Sequence, residues 1–168
     1  MKAGSFIIIL FVSMLTDCVK DKPDQWPDTN EISGIVSKAL YESDHEKPCY
    51  GPSFLSLPQG TEYIISSQAV YDTIFFSTID DGLPCIKETI DFDRYSILGL
   101  RTQGTGCSRT YHRKIVENEA KKVYEYLVTI RECGFCEPLE TNYNWVLVPR
   151  LPEGWRVQFS SSVEKYPE

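Results

Sequence analysis

Two stretches of alternating side chains, joined by a short polar connection, constrain the fold of this chain more than any other feature. They cover residues 109–116 and 123–131, and residues 117–121 connect them. Successive side chains of a strand point to opposite faces, so a strand with one buried face alternates apolar and polar residues. The pattern predicts a β-hairpin with two antiparallel arms. The face expected to be buried consists of Tyr124, Tyr126, Val128 and Ile130.

Other segments add strands and one helix to this hairpin. Residues 62–65, 95–101, 145–148 and 155–159 have the β-branched and aromatic composition of strands. A helix is predicted from an N-cap at Ser67 to about Ser77. Its apolar face consists of Val70, Tyr71, Ile74 and Phe75.

Residues 32–41 fit two interpretations. Their apolar side chains recur at helical spacing, whereas Gly34 and the β-branched residues favour a strand. Together the segments predict a mainly β fold, an antiparallel sheet or sandwich-like domain of five to six strands with one or two short helices.

The first eighteen residues have the pattern of an export signal. Lys2 precedes an apolar run of about ten residues, which is shorter than the about 20 apolar residues that cross a bilayer as a helix. The run ends at residues 15–18 (Leu-Thr-Asp-Cys), which resemble a bacterial lipobox, although Asp17 replaces the usual small neutral residue. The resemblance implies cleavage before Cys18 and attachment of the chain to the membrane through a lipid on its sulfur. Conventional secretion and a retained N-terminal anchor are the alternatives.

Composition divides the rest of the chain. Residues 18–30 are polar and contain two prolines, which predicts a flexible tether between a signal peptide at 1–17 and a single β-rich domain at 31–168. The formal net charge is −7, and it is unchanged by removal of residues 1–17, which carry one lysine and one aspartate. Such an acidic chain is repelled by phosphate backbones, so no nucleic-acid partner is expected.

Cysteine spacing predicts disulfide bonds. The six cysteines are Cys18, Cys49, Cys85, Cys107, Cys133 and Cys136. Lipidation of Cys18 would leave an odd number, so one would be free or paired between molecules. Because Cys107 begins the first hairpin arm and Cys133 ends the second, we expect Cys107 to pair with Cys133 or Cys136 in an oxidising compartment. Cys49 with Cys85 is the second predicted pair.

The motif Cys133-Gly134-Phe135-Cys136 also allows a catalytic interpretation. Its spacing is that of a thioredoxin-type redox pair, so a thiol–disulfide oxidoreductase is an alternative function. However, the adjacent Glu132 and Glu137 disfavour the thiolate that this chemistry needs, and the motif follows a hairpin rather than preceding a helix. A structural disulfide is therefore the favoured interpretation. A zinc site that adds Cys107 and His112 lacks recognisable spacing in its second half, so no metal and no cofactor are predicted.

Other signals of chemistry are sparse. His45 and His112 are the two histidines, and no nucleophile elbow or phosphate loop is present, although a Ser–His–Asp site needs no sequence proximity and stays open. The aspartates at 80, 81, 91 and 93 lack calcium-loop spacing and indicate turns. No catalytic residue is predicted. Exposed aromatic side chains such as Trp155 allow a glycan- or peptide-binding alternative, while Trp145 is expected in the core.

Several segments resemble a known family. Residues 90–98 (Ile-Asp-Phe-Asp-Arg-Tyr-Ser-Ile-Leu), 106–108 (Gly-Cys-Ser), 124–130 and 144–150 follow in the order found in the C-terminal domain of a bacterial protease-complex accessory subunit family. They are also similar to related small lipoproteins of the Bacteroides type, and residues 63–75 resemble the segment that precedes them there. The likeness covers residues 61–151, and the cysteines depart from it. It implies a β-rich accessory or binding domain, with a protease or another envelope complex as protein partner, and it transfers no active site.

The sequence therefore predicts an exported, lipid-anchored binding or accessory protein without a catalytic site. The expected location is the bacterial cell envelope, at the outer membrane or cell surface, facing the periplasm or the exterior.

Overall fold

The computed structural model describes residues 29–41, 61–75, 88–105, 108–133 and 139–165. The predicted signal peptide and most of the predicted tether lie outside these ranges. The described residues form one helix, α1 (Gln68–Ile74), and one 3-10 turn at Glu119–Lys121. The strands are β1 (Glu31–Gly34), β2 (Lys38–Ala39), β3 (Glu62–Ile65), β4 (Tyr95–Leu100), β5 (Thr102–Gly104), β6 (Ser108–Asn118), β7 (Val123–Cys133), β8 (Glu140–Asn142), β9 (Val146–Pro149) and β10 (Arg156–Lys165).

Strands β6 and β7 form the predicted hairpin. They pair antiparallel from Ser108 opposite Cys133 to Asn118 opposite Val123. The side chain of Asn118 accepts the Lys121 N–H at 3.2 Å and so closes the 3-10 turn between the strands. Strand β1 adds parallel to β6, and β10 adds parallel to β7. We call the resulting four-stranded sheet, in the order β1-β6-β7-β10, the hairpin sheet.

A second sheet, in the order β2-β9-β4-β3, packs against the hairpin sheet, and we call it the central sheet. Unlike the mixed hairpin sheet, it is antiparallel throughout. One core lies between the two sheets. It contains Leu98, Leu100, Tyr111, Ile115, Tyr124, Tyr126, Val128, Ile130, Val146 and Val148. The other face of the central sheet packs against α1 and a set of aromatic rings in a second core. Strand β4 is buried on both faces, which explains its nearly continuous apolar sequence.

A glycine in β4 brings an indole ring against the backbone. A Cβ atom on Gly99 would lie 2.2 Å from Cζ3 of Trp145, so only glycine leaves room for the ring. Trp145 is 2% exposed and also contacts Tyr63 and Phe75, with ring centroids 5.0 and 5.1 Å away. The expectation that Trp145 belongs to the core is confirmed.

Helix α1 begins where the sequence predicts and ends earlier. Ser67 caps it by accepting the Val70 N–H at 3.4 Å, and Tyr71 and Phe75 are fully buried. The helix ends at Ile74, because Phe75 already has an extended backbone. Val70, which also belongs to the predicted apolar face, is 44% exposed. A two-turn helix packs through one ridge, here the i, i+4 pair of Tyr71 and Phe75.

Residues 31–41 contain two short strands, β1 and β2, rather than a helix. Gly34 has a φ of +75°, and a Cβ atom there would lie 1.8 Å from the Ile115 carbonyl oxygen. This close approach lets β1 pair along β6, and the chain then crosses to β2 in the central sheet. The helical spacing of residues 32–40 therefore does not describe the structure.

The mainly β fold with one helix and antiparallel sheets is confirmed. The described residues contain ten strands because four short ones, β1, β2, β5 and β8, form only through partners that are distant in sequence. A further two-stranded sheet, β5-β8, which we call the small sheet, lies beside the other two.

Candidate functional site

Polar side chains converge inside the molecule where the three sheets meet. Arg113, on the inner face of β6, is 2% exposed, and its Nε donates to Asn144 Oδ1 at 3.1 Å. The Asn144 amide donates to Thr102 Oγ1 at 2.8 Å and to the Leu100 carbonyl at 3.1 Å. The Tyr126 hydroxyl donates to the Asn144 carbonyl at 2.6 Å. We call Thr102, Arg113, Tyr126 and Asn144 the buried polar cluster, and it ties the three sheets together.

The backbone around Asn144 suits this role. Its φ is +38°, in the left-handed region that asparagine tolerates better than most residues. Its N–H donates to Asn142 Oδ1 at 2.8 Å, which fixes the bend between β8 and β9. The side chain of Asn144 is thereby directed into the interior, where it is 1% exposed.

A second polar contact joins the small sheet to the hairpin. The carboxylate of Glu132, which is 5% exposed, accepts the Thr105 N–H at 2.6 Å and its hydroxyl at 3.1 Å. Arg109 lies opposite Glu132 on β6, donates to the Gly104 carbonyl and forms an ion pair with Glu140. These charges hold β5 and β8 in place. Within the described residues, these contacts stabilise the packing of the small sheet on the hairpin.

A small cleft opens beside the buried polar cluster. It has a volume of about 150 Å³, and Arg113 and Asn144 form part of its wall. The remaining lining residues are Leu40, Tyr41, Thr141, Asn142, Tyr143 and Trp145. Aromatic rings beside amide and hydroxyl groups can stack on a sugar or peptide and hydrogen-bond to it, so the cleft is a candidate ligand site.

A tyrosine pair lies next to this cleft. The hydroxyls of Tyr41 and Tyr71 are 2.9 Å apart, and Tyr71 also donates to the Glu88 carbonyl at 3.0 Å. Burial raises the pKa of both phenols above the ordinary value, and the hydrogen bond to Tyr41 raises the pKa of Tyr71 further. Both hydroxyls are therefore neutral at physiological pH. They serve as hydrogen-bonding groups and not as phenolate nucleophiles.

The outer face of the hairpin sheet is the second candidate site. A shallow depression of about 240 Å³ lies across β6, β7 and β10. Its lining residues are Lys114, Val116, Glu125, Leu127, Gln158 and Ser160. Both charge signs and two aliphatic side chains thus surround one open surface, which offers a partner polar and apolar contacts together.

Contacts between strands order the side chains next to this depression. Arg131 forms ion pairs with Glu31 at 2.9 Å and Glu164 at 3.2 Å, and so links β1, β7 and β10. His112 Nε2 and Ser33 Oγ are 2.8 Å apart. The outer face is therefore preorganised across all four strands. His112 lies on this face, as the alternation predicts.

The residues singled out in the sequence lie in different places. Cys133 is 8% exposed at the end of β7, opposite Ser108, and the other five cysteines lie outside the described residues, as does His45. Trp155 is half-buried with its ring 5.5 Å from that of Tyr124, so the idea that it forms an exposed platform is wrong. Packing against the hairpin covers part of its side chain.

The predicted turn at Asp91 is confirmed. Its carbonyl accepts the N–H groups of Arg94 and Tyr95 at 3.1 and 2.9 Å, and its carboxylate accepts the Asp93 N–H at 3.1 Å. In the described part of the chain, no three His, Cys, Asp or Glu side chains are placed to hold a metal ion. Across the same ranges, no helix combines the length and apolar character that crossing a membrane requires.

Sequence reasoning missed the buried polar cluster. One signal for it exists, because Arg113 has the same strand phase as Tyr111 and Ile115, and a charge in the apolar phase indicates a buried polar contact. No comparable signal marks Asn144, whose partners come from β4, β5, β6 and β7.

Comparison of this chain with protein-family models, curated proteins and solved structures gave no match.

Proposed function

We propose that this chain is a lipid-anchored, non-catalytic binding or accessory protein of the bacterial cell envelope, and that it binds a protein partner through the outer face of the hairpin sheet. The observation that carries the proposal is the depression on that face, which is flanked by side chains that ion pairs and a hydrogen bond hold in place. Side chains already fixed by ion pairs and hydrogen bonds lose little conformational entropy when a partner binds. The polar groups inside the molecule, by contrast, bond to one another and hold the sheets together.

The partner site is tested by photo-crosslinking in the native envelope. A photoreactive amino acid replaces Leu127 in the depression and, as a matched control, Val70 on the exposed side of α1. We expect a discrete adduct from position 127 and none from position 70, and mass spectrometry of the adduct identifies the partner. A protease subunit or an envelope complex would agree with the family resemblance. Equal labelling at the two positions, or none at either, would contradict the proposed surface.

The lipid anchor rests on the apolar run and Cys18, and it is tested separately. Growth of the native host with a clickable fatty acid should label the wild-type chain and not Cys18→Ser. Asp17→Ala restores the small neutral residue of the lipobox, so we expect faster removal of residues 1–17 in pulse-chase labelling. Labelling that persists in Cys18→Ser would refute lipidation at this residue.

The disulfide of Cys133 with Cys107 or Cys136 is also part of this proposal. Cys133 is not a free thiol, and it lies opposite Ser108, the neighbour of Cys107 in sequence. Cys133 is the last residue of strand β7, whereas redox enzymes lower a thiol pKa at a helix N-terminus. Peptide mapping without reduction should recover a crosslinked peptide containing residue 133. Efficient insulin reduction by the protein would instead favour the oxidoreductase alternative.

Glycan or peptide capture in the small cleft is a second candidate function, favoured by the aromatic and amide side chains that line it. Because Trp145 forms part of the wall, ligand binding should change its fluorescence. Trp155→Phe reduces emission from outside the cleft, and Tyr143→Ala removes one wall. We expect a glycan or peptide that shifts the emission of Trp155→Phe to have no effect once Tyr143→Ala is added. A panel without any response would reject this candidate.

A further inference from the structure

Strand β10 forms one edge of the hairpin sheet in the described part of the chain. It is ten residues long, and the seven residues from 157 to 163 (Val-Gln-Phe-Ser-Ser-Ser-Val) carry no charge and no proline. Long edge strands without charges or prolines are templates for pairing with another strand. The opposite edge, β1, has four residues and ends at the left-handed Gly34. Of these two edges, β10 is therefore the one suited to pairing.

The backbone direction of β10 defines which groups face outward. The Arg156 N–H donates to the Lys122 carbonyl at 3.2 Å, and residues 156–165 then run parallel to residues 123–132. In a parallel pair, residues that bond to the neighbouring strand alternate with residues whose N–H and C=O point away. The backbone N–H and C=O groups of the even-numbered residues of β10 therefore point towards β7. Odd-numbered residues, from Val157 to Lys165, turn their backbone groups outward.

The sequence of β10 is self-complementary about Ser160. An antiparallel copy with Ser160 opposite Ser160 places Val157 opposite Val163 and Phe159 opposite Ser161, and these odd-numbered positions exchange the outward hydrogen bonds. On the outer face, the same register places Arg156 opposite Glu164. Glu164 is half-exposed and already lies 3.2 Å from Arg131, so it would sit between two guanidinium groups. Opposite charges directly across an antiparallel pair are stabilising.

We infer that β10 binds β10 of a second copy of this chain about a two-fold axis at Ser160. The two hairpin sheets then form one continuous eight-stranded sheet. A two-fold interface uses the same surface on both subunits, which the self-complementary sequence of β10 satisfies. The inference goes beyond the proposed function, because it concerns the state of the protein rather than its partner. It also places the outer faces of two copies side by side.

A disulfide trap tests the register. Residues opposite each other at a non-hydrogen-bonded position have Cα atoms about 4.5 Å apart, within disulfide range. Ser160→Cys in the full chain, extracted in mild detergent and mildly oxidised, should therefore give a covalent dimer, confirmed by a 160–160 crosslinked peptide. Gln158→Cys is the matched control on the same face. Its two copies would be about 13 Å apart along the strands, so no crosslink is expected. A mixture of Gln158→Cys with Ser162→Cys should crosslink.

Charge reversal provides a second measurement that needs no cysteine. Arg156→Glu places two pairs of like charge across the axis, so dimer affinity measured by analytical ultracentrifugation should fall about ten-fold or more. Lys165→Glu, which faces no acidic residue in this register, should change the affinity much less. A monomeric wild-type chain at high micromolar concentration would overturn the inference. Crosslinking of Gln158→Cys that equals that of Ser160→Cys would overturn it as well. Neither result would affect the partner-binding proposal, which photo-crosslinking at Leu127 tests independently.

Discussion

The two faces of the β6–β7 hairpin use the same kinds of side chain in opposite environments. Arg113 on the inner face is 2% exposed and bonds to Asn144 where the three sheets meet. Arg131 on the outer face pairs with Glu31 and Glu164, both about half exposed to water. A polar group cut off from water loses far more when its partner is removed than a group that water can reach. We therefore expect the inner face to determine stability and the outer face to be free for binding.

The largest effect is expected from Asn144→Ala. It removes the acceptor of Arg113 and the donor to Thr102, and leaves both polar groups buried without these bonds. Alanine at a φ of +38° adds backbone strain. We expect a loss of about 3–5 kcal/mol in the free energy of unfolding, measured with urea. Gln158→Ala, which changes an exposed amide on the outer face, should cost less than about 0.5 kcal/mol. Similar losses in the two variants would mean that the inner face does not contribute more to stability than the outer face.

Gly99→Ala should have the next largest effect, because it tests packing rather than hydrogen bonding inside the molecule. The added methyl group meets the Trp145 ring at 2.2 Å, so the ring or strand β4 must shift. Overpacking of this kind costs about 1–3 kcal/mol. Adding Trp145→Phe removes part of the clash, so the double variant should lose less stability than the sum of the two single variants. Strict additivity would show that ring and glycine do not interact.

Alkaline pH should lower the stability of the folded chain through the buried Tyr63. Burial raises the pKa of Tyr63 to about 12, and the nearby Tyr143 adds to this shift, whereas an unfolded tyrosine titrates near pH 10. Above pH 10 the unfolded chain releases a proton that the folded chain keeps, so stability is full below pH 10 and falls as the pH rises towards 12. In Tyr63→Phe, the free energy of unfolding measured with urea should fall less steeply with pH across this range. Arg131→Ala, which changes no tyrosine, should leave this pH dependence unaltered.

The smallest effect is expected from Arg131→Ala on the outer face. It breaks two ion pairs, but water already reaches both carboxylates. The free energy of unfolding should therefore fall by about 1 kcal/mol or less. Raising the salt concentration from 0.05 to 1 M shortens the electrostatic screening length from about 14 Å to about 3 Å. The difference in stability between Arg131→Ala and wild type should therefore shrink. Urea titrations at the two salt concentrations measure this. A large, salt-independent loss would mean that the outer face also supports the fold.

Local pattern predicted the elements whose determinants lie close together in sequence. The alternation in residues 123–131 gave β7 and its buried face, and Ser67 marked the start of α1. The turn at Asp91 depends on contacts within four residues. Strands β2, β5 and β8 have two or three residues each, which is too short for any periodicity to be recognised. Strand β2 forms because it pairs with β9, and β5 and β8 form because they pair with each other.

The candidate sites depended more strongly on tertiary structure. Leu127 and Lys114 could be assigned to the polar phase of the hairpin, but the depression between them also requires β10, which pairs in parallel from the end of the chain. The small cleft combines Leu40 with Thr141 and Tyr143, about one hundred residues apart in the sequence. No local rule predicts that these segments meet.

By itself the sequence determined that the chain is mainly β, which face of the hairpin is buried and where the helix begins. These properties follow from side-chain periodicity and from a cap, and both act within a few residues. The tertiary structure alone decided the parallel addition of β1 and β10, the meeting of three sheets at Asn144 and the burial of Arg113. The physical reason is that unpaired backbone groups and buried charges are stabilised by whatever partner the packed sheets bring near, and that partner can come from any part of the chain.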